Sequence, residues 1–271
     1  MTETAEANVA QPALQKPVTA KTLYRYLDRA FPASLSCRWD NDGAMCLSDP
    51  DREIRRVLVT LDITADAVDY AAKNAIDAIV SHHPLIFTPM RSINGCDAKS
   101  RIITKLMRSG ISALSFHTRL DAVAGGVNDC LCEKLGIADA RPFGPEGESL
   151  GRIAQIAPTS GRELAAMVKE RLEADAVFVT CESKKIEKVV VVGGAGKDLI
   201  DAAIDAFADA LITGEVSYNA ALDAADSGLC LIMAGHFQTE NPVLQELERQ
   251  IRAFDPAIVV ERFHSNLIKQ I

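Results

Sequence analysis

Along the chain, short runs of β-branched and apolar residues alternate with longer stretches whose apolar positions recur three and four apart. The run RRVLVTLDI at 55–63 predicts a strand, and TADAVDYAAKNA at 64–75 predicts a helix with Thr64 as its N-cap. The pattern continues with a strand at 77–83, a helix at 99–110 closed by Gly110, a strand at 111–118 and a helix at 125–136 closed by Gly136. Beyond this point strands are predicted at 150–157, 176–181, 186–194, 209–215, 229–236 and 257–264. Helices are predicted at 160–174, capped by Ser160, and at 198–208, 218–228 and 241–254. Such alternation predicts an α/β protein with largely parallel sheets. Segment 138–149 (ADARPFGPEGES) is rich in glycine, proline and charge, and marks a boundary between two lobes.

Composition narrows the function classes. Of 271 residues, 29 are basic and 37 acidic, a net charge of −8 that disfavours non-specific binding to nucleic acid or to an anionic membrane. No apolar stretch approaches the roughly 20 residues of a membrane span. Residues 1–20 carry no basic start or apolar core of a signal peptide and read as a flexible leader. Seven cysteines occur without a CxxC pair, several in apolar segments, which fits reduced thiols and a cytoplasmic setting.

The candidate chemistry lies in the histidines. There are five, and four fall at predicted strand ends: His82 and His83 in SHHPLIF, His117 in SFHTRLD, and His236 in AGHFQTE. Asp121 and Glu240 each lie four residues beyond a histidine. In open α/β sheets, ligand sites gather at the carboxyl ends of strands. Imidazole and carboxylate donors together suit zinc, manganese, iron, cobalt or nickel. Adjacent side chains diverge on an extended strand, so His82 and His83 can share a site only where the strand opens into a loop, which Pro84 favours. Other readings exist for each residue. His117 could orient a neighbouring ligand, Asp121 and Glu240 could cap turns, and Thr239 could cap a helix. His264 has no partner at suggestive spacing and reads as an ordinary surface or core histidine. The glycines of VVVVGGAG at 189–196 lack the GxGxxG spacing and read as a tight turn rather than a dinucleotide cradle, and Lys197 adds little. Glu215 could line the cavity or be structural.

Taken in order, WDNDG at 39–43, DREIRRVLVTLDIT, SHHPLIF, SFHTRLDAVAGGVND, VVVVGGAG, LITGE and AGHFQTE resemble the GTP cyclohydrolase 1 type 2 homologs, also called NIF-three-like dinuclear-metal proteins. The resemblance implies two α/β lobes, one built from 21–124 plus 236–271 and the other from 125–235, with a dinuclear site in the cleft between them. It implies His82, His83, Asp121, His236 and Glu240 as ligands of two divalent cations, with Glu240 bridging. It places His117 beside them as a catalytic group, and it implies a homohexamer. Two positions depart from the family pattern. Arg119 stands where asparagine is common and could orient an anionic substrate or form a surface salt bridge. Phe237 stands where tyrosine is common, so no phenol is available there as a proton donor.

Three functions follow. The first is a metal-dependent hydrolase, acting on a C–N or phosphoester centre of a small-molecule substrate that the family name suggests is a purine nucleotide. The second is a non-enzymatic metal-handling or scaffold protein. The third is a nucleotide-binding regulator built on the glycine turn.

Overall fold

The structure, a computed structural model, describes residues 17–145 and 149–268. The leader expected at 1–20 lies outside the described residues as far as 16. Thr19 already belongs to the fold, because its hydroxyl accepts from Thr22 N and caps the first helix.

In chain order the first elements are α1 (Ala20–Ala30), β1 (Gly43–Cys46), β2 (Arg56–Thr60), α2 (Ala65–Lys73), β3 (Ala78–Ser81), α3 (Ala98–Ser109), β4 (Ser112–Ser115), α4 (Thr118–Ala122) and α5 (Val127–Leu135). Then follow β5 (Arg141–Phe143), β6 (Gly151–Ser160), α6 (Gly161–Arg171), β7 (Phe178–Val179), β8 (Lys185–Val191), α7 (Ile200–Asp205), β9 (Ala210–Thr213), α8 (Tyr218–Asp226), β10 (Cys230–Met233), α9 (His236–Glu240), α10 (Val243–Phe254) and β11 (Val259–Arg262). The predicted caps form. Thr64 accepts from Ala67 N, Ser160 and Glu163 make a reciprocal capping box, and Gly110 and Gly136 close their helices in left-handed conformation.

The strands form two sheets, ordered β1-β4-β3-β2-β11 and β5-β6-β8-β9-β10-β7. In the first, only the β1–β4 edge pair is antiparallel. The second departs from the largely parallel expectation. Its β8–β9 and β9–β10 pairs are parallel, whereas β5–β6, β6–β8 and β7–β10 are antiparallel. Only β5 and β6 are joined by a short return; α6 and β7 lie between β6 and β8, and the strand expected at 176–181 shrinks to a two-residue edge that joins β10 from far away in the chain.

Both sheets are covered on both faces, and strand alternation explains how. In the first sheet Val57, Val59, Val80 and Leu114 pack toward α1 and α10, while Leu58, Ile79 and Ala113 pack toward α2 and α3. In the second, Val189, Val191, Ile212 and Ile232 face one core, and Val190, Leu211 and Leu231 face the other. The seven cysteines, all among the described residues, form no disulfide. Among the described residues no helix is long and apolar enough to cross a membrane.

Candidate metal centre

Chain segments leaving β3, β4 and β10 meet at one place. Backbone pairing continues past the end of β3, where His82 N donates to Thr60 O and His83 N to Leu61 O. The Ser81 hydroxyl then donates to His83 O at 2.8 Å and turns the chain out of the sheet. This opening lets adjacent imidazoles face one site, with ring centroids 4.8 Å apart. His117 follows β4 and precedes α4, and its ring lies 5.3 Å from that of His82 and 5.7 Å from that of His83. The strand expected to reach 118 therefore stops at Ser115, and Asp121 sits on α4.

From the second sheet, β10 ends at Met233, three residues before His236. Gly235 takes φ +95°, a left-handed turn that a side chain would resist, and α9 starts at His236. His236 and Glu240 are thus four apart on one helical face, not at the end of a strand. The glycine turn expected from VVVVGGAG packs beneath them. Gly194 has φ +65°, and a Cβ there would lie 2.2 Å from Glu240 Oε1. Thr239, a possible cap in the sequence, lies inside α9, and its hydroxyl accepts from Gly194 N at 3.0 Å.

Every one of the four imidazoles is held at Nδ1. His82 Nδ1 lies 3.0 Å from Phe116 O, and His83 Nδ1 lies 2.8 Å from Asp62 Oδ1. His117 Nδ1 lies 2.9 Å from Asp40 Oδ1, and His236 Nδ1 lies 3.0 Å from Glu215 Oε1. Oxygen acceptors at Nδ1 draw the ring proton there and leave the Nε2 lone pair as the donor atom. His82 Nε2 is 3.7 Å from both Asp121 Oδ1 and Glu240 Oε1. His83 Nε2 and His236 Nε2 are 3.0 and 3.2 Å from Glu240 Oε2. Glu240 therefore turns one oxygen to His82 and the other to His83 and His236. His82 Nε2 and Glu240 Oε2 are buried without a partner in hydrogen-bond geometry. Buried polar atoms of that kind call for a ligand.

Among the described residues two groups of donors lie close enough to hold an ion: His82, His83 and His117 in one, and His83, His236 and Glu240 in the other. The charges of these groups act strongly on one another. Burial opposes a charge on His83, but the hydrogen bond to Asp62 and the adjacent Glu240 carboxylate outweigh it and raise its pKa to about 10. The adjacent Glu240 carboxylate raises His236 to about 9 against the effect of burial. Burial first, and the Glu240 charge next, push Asp121 up to about 8. Despite burial, His82, His236 and His83 hold Glu240 well below the usual carboxylate range. These are the signs of a carboxylate-rich cavity that is short of positive charge. The donor set fits a divalent cation.

The other sequence candidates fall elsewhere. Arg119 does not form the surface salt bridge that is one of its two expected roles. It is 3% exposed, and its guanidinium is committed to Asp28 at 2.7 Å, Asp42 at 2.6 Å and Phe31 O at 3.1 Å. His264 is exposed. Phe237 packs against the first core. Glu215 has a definite role, orienting His236. Sequence reasoning missed Asp62 and Asp40 as partners of histidine. Asp62 lies two residues past β2, so the strand-end rule that selected the histidines also reaches it.

The chain matches the family model Duf34/NIF3 (NGG1p interacting factor 3) over residues 18–270. It is similar to a protein of Lactococcus lactis called GTP cyclohydrolase 1 type 2 homolog, at 31% identity across 86% of this chain and 91% of that one. A Schizosaccharomyces pombe protein called NIF3 homolog is 30% identical, across 86% and 89%. Among solved structures, a Staphylococcus aureus hypothetical protein superposes with a TM-score of 0.86 at 26% identity, covering 94% of this chain and 100% of that one. A Bacillus cereus protein related to NIF3 gives 0.85 at 21% identity, covering 95% and 100%. The α/β architecture of two sheets is thus shared with solved neighbours, and the chain belongs to the Duf34/NIF3 family.

Proposed function

We propose that this protein is a dinuclear metal-dependent hydrolase in which His82, His83, Asp121, His236 and Glu240 hold two divalent cations. One observation carries the reading: four imidazoles, each tied at Nδ1, gather around two buried or half-buried carboxylates. The two Glu240 oxygens face different histidines, which suits a bridging role. Bound there, a pair of cations would supply Lewis acidity and bring the ionisation of water toward neutral pH.

The chain's own groups do the rest. Hydrogen bonds from His117 and Thr118 outweigh burial and keep Asp40 far below the usual carboxylate range. Asp40 therefore stays ionised and fixes the His117 ring. That leaves His117 Nε2 to take up or return a proton during hydrolysis. Relatives bear the name GTP cyclohydrolase 1 type 2 homolog, so a purine nucleotide or another phosphoester is the substrate class to test first. A homohexamer belongs to the same reading, and exposed Phe207, Tyr218 and Leu222 offer apolar surface for assembly.

The test compares the purified protein with a His82→Ala/His83→Ala variant. Metal content is measured by mass spectrometry, and turnover on GTP and p-nitrophenyl phosphate after loading with zinc or manganese. The expected result is about two bound metal equivalents and turnover that the variant loses. Metal binding with no turnover above the variant would sink the hydrolase reading and leave a metal-handling or scaffold protein.

A further inference from the structure

The WDNDG segment contributes more than the Asp40 contact to His117. Trp39, the chain's only tryptophan, is 60% exposed, and Phe87 beside it is 47% exposed. Their rings meet edge to face at 6.0 Å. Both also lie edge to face against His117, at 6.3 Å for Trp39 and 6.1 Å for Phe87. Neither ring belongs to any of the four apolar clusters that hold the fold together. Large aromatic surface left in water beside a catalytic group calls for a partner.

The rings are also held in place. Asp40 accepts from His117 Nδ1, Thr118 N and Thr118 Oγ1. Asp42 accepts from His117 N and from Arg119. Trp39 thus precedes a segment pinned at two of its next three residues. The Asn41 side chain donates to Ile86 O, immediately before Phe87, and ties the two ring-bearing loops together. Buried Arg119, which anchors Asp42, thereby supports this wall from behind. Pre-positioned rings lose little freedom on binding a ligand, so contact with them translates efficiently into affinity.

We infer that Trp39 and Phe87 form a recognition wall for a planar heteroaromatic ring, which they seat beside His117 at the edge of the metal centre. The inference rests on the proposed hydrolase reading for the identity of the neighbouring site, but the binding it describes is measurable without turnover. A planar ring is favoured over an aliphatic one because stacking on an indole needs only a π-face and tolerates different bases. His117 would then lie at the edge of the seated ring.

The single tryptophan makes the test direct. Trp39 emission is followed while adenosine 5′-monophosphate is titrated into the EDTA-treated and the zinc-loaded protein. Ribose 5-phosphate, which keeps the phosphate and lacks the ring, is the control. Saturable quenching is expected with the nucleotide and not with the sugar phosphate. By calorimetry, Trp39→Ala should weaken nucleotide binding by about tenfold, and Trp39→Phe should largely restore it. Both variants should melt like the parent, because the ring is not part of a core. Equal affinity for the two probes, or unchanged nucleotide affinity in Trp39→Ala, would overturn the inference. So would an emission shift that depends on protein concentration alone, since a second copy would then cover the rings. Quenching without any hydrolysis would uphold the wall while removing the hydrolase reading. Hydrolysis equally fast on ring-free substrates would do the reverse.

Discussion

The two sheets deliver the same kind of candidate ligand by different means. The first sheet places His82 and His83 directly beyond a central parallel strand, with β2 and β4 paired on either side of β3. His82 is fully buried, and its Nδ1 partner is the backbone carbonyl of Phe116. The second sheet places His236 and Glu240 on a short helix after β10, steered by glycine turns. His236 is 37% exposed, and its Nδ1 partner Glu215 is 62% exposed. Sheet register fixes the first pair, whereas the second depends on close backbone approach. One half of the candidate site is therefore set by strand pairing, and the other by a turn that an added side chain would crowd.

The sharpest way to break this contrast is at Gly194. In Gly194→Ala the new Cβ would lie 2.2 Å from Glu240 Oε1 and 3.1 Å from His236 Nε2. Gly228→Ala is the control. Its φ is +85°, and nothing lies within 4 Å of its Cβ position. Both substitutions carry the left-handed backbone penalty of about 1–2 kcal/mol. Only Gly194→Ala should also displace Glu240, with metal affinity falling beyond the roughly 100-fold upper range for loss of an outer partner. Zinc competition against a chelator reads the difference. Equal metal affinity in the two variants would show that the turn does not position Glu240.

Next in size are the outer carboxylates. Asp62 receives His83 Nδ1 on one oxygen and Ser265 Oγ on the other. Glu215 offers its carboxylate to His236 from a largely exposed position. Asp62→Asn is expected to weaken zinc binding by roughly 10–100-fold, and Glu215→Gln by about tenfold or less. The same chelator competition separates them. A larger loss in Glu215→Gln would reverse the ranking of the two halves.

A smaller effect follows pH. His83, His236 and Asp121 all have raised values in the fold, about 10, 9 and 8. Their unfolded values are near ~6.5 for histidine and ~3.9 for aspartate. A raised group contributes stability that is complete below its unfolded value and lost as pH rises through its folded value. For the histidines that loss falls between about pH 6.5 and 10, and for Asp121 between about pH 4 and 8. A cation competes for the sites these protons occupy, so the zinc-induced rise in melting temperature should be greater at pH 8.5 than at pH 6. His83→Asn should flatten this dependence further up the scale than His236→Asn does. A zinc effect that is the same at both pH values would mean that protons do not compete for the centre.

Much of the fold and of the candidate site is legible in the chain itself. The four histidines and the carboxylates four residues beyond two of them come together as a cluster, because ligand sites in α/β folds gather where chain segments leave the carboxyl ends of strands. The capping signals at Thr64, Ser160, Gly110 and Gly136 are legible for the same reason, since each acts over three or four residues. Three features are not. The antiparallel pairings of the second sheet depend on which strands become neighbours, and periodicity does not report that. The burial of Arg119 depends on Asp28 and Asp42, which approach it from 91 and 77 residues away in sequence. The start of α9 at His236 depends on Gly235 taking a positive φ, which converts an expected strand end into a helix start.

The smallest effect tests whether stability and metal binding can be separated in the second half. Ser160 and Glu163 form a capping box at the start of α6. The helix contributes Leu164, Ala165 and Val168 to the core that also holds Val189, Val191, Ile212 and Ile232. Ser160→Ala removes the hydroxyl that accepts from Glu163 N and leaves that core intact. The expected cost is about 1 kcal/mol, a fall in melting temperature of roughly 2–4 °C. Zinc affinity should not change, because the glycine turn and α9 are held by their own contacts: Thr239 with Gly194, and Asn128 with Gly193. A variant that lost metal affinity together with stability would show that the second half positions its ligands through the whole sheet and not through the turn. The contrast between a register-fixed half and a turn-fixed half would then disappear.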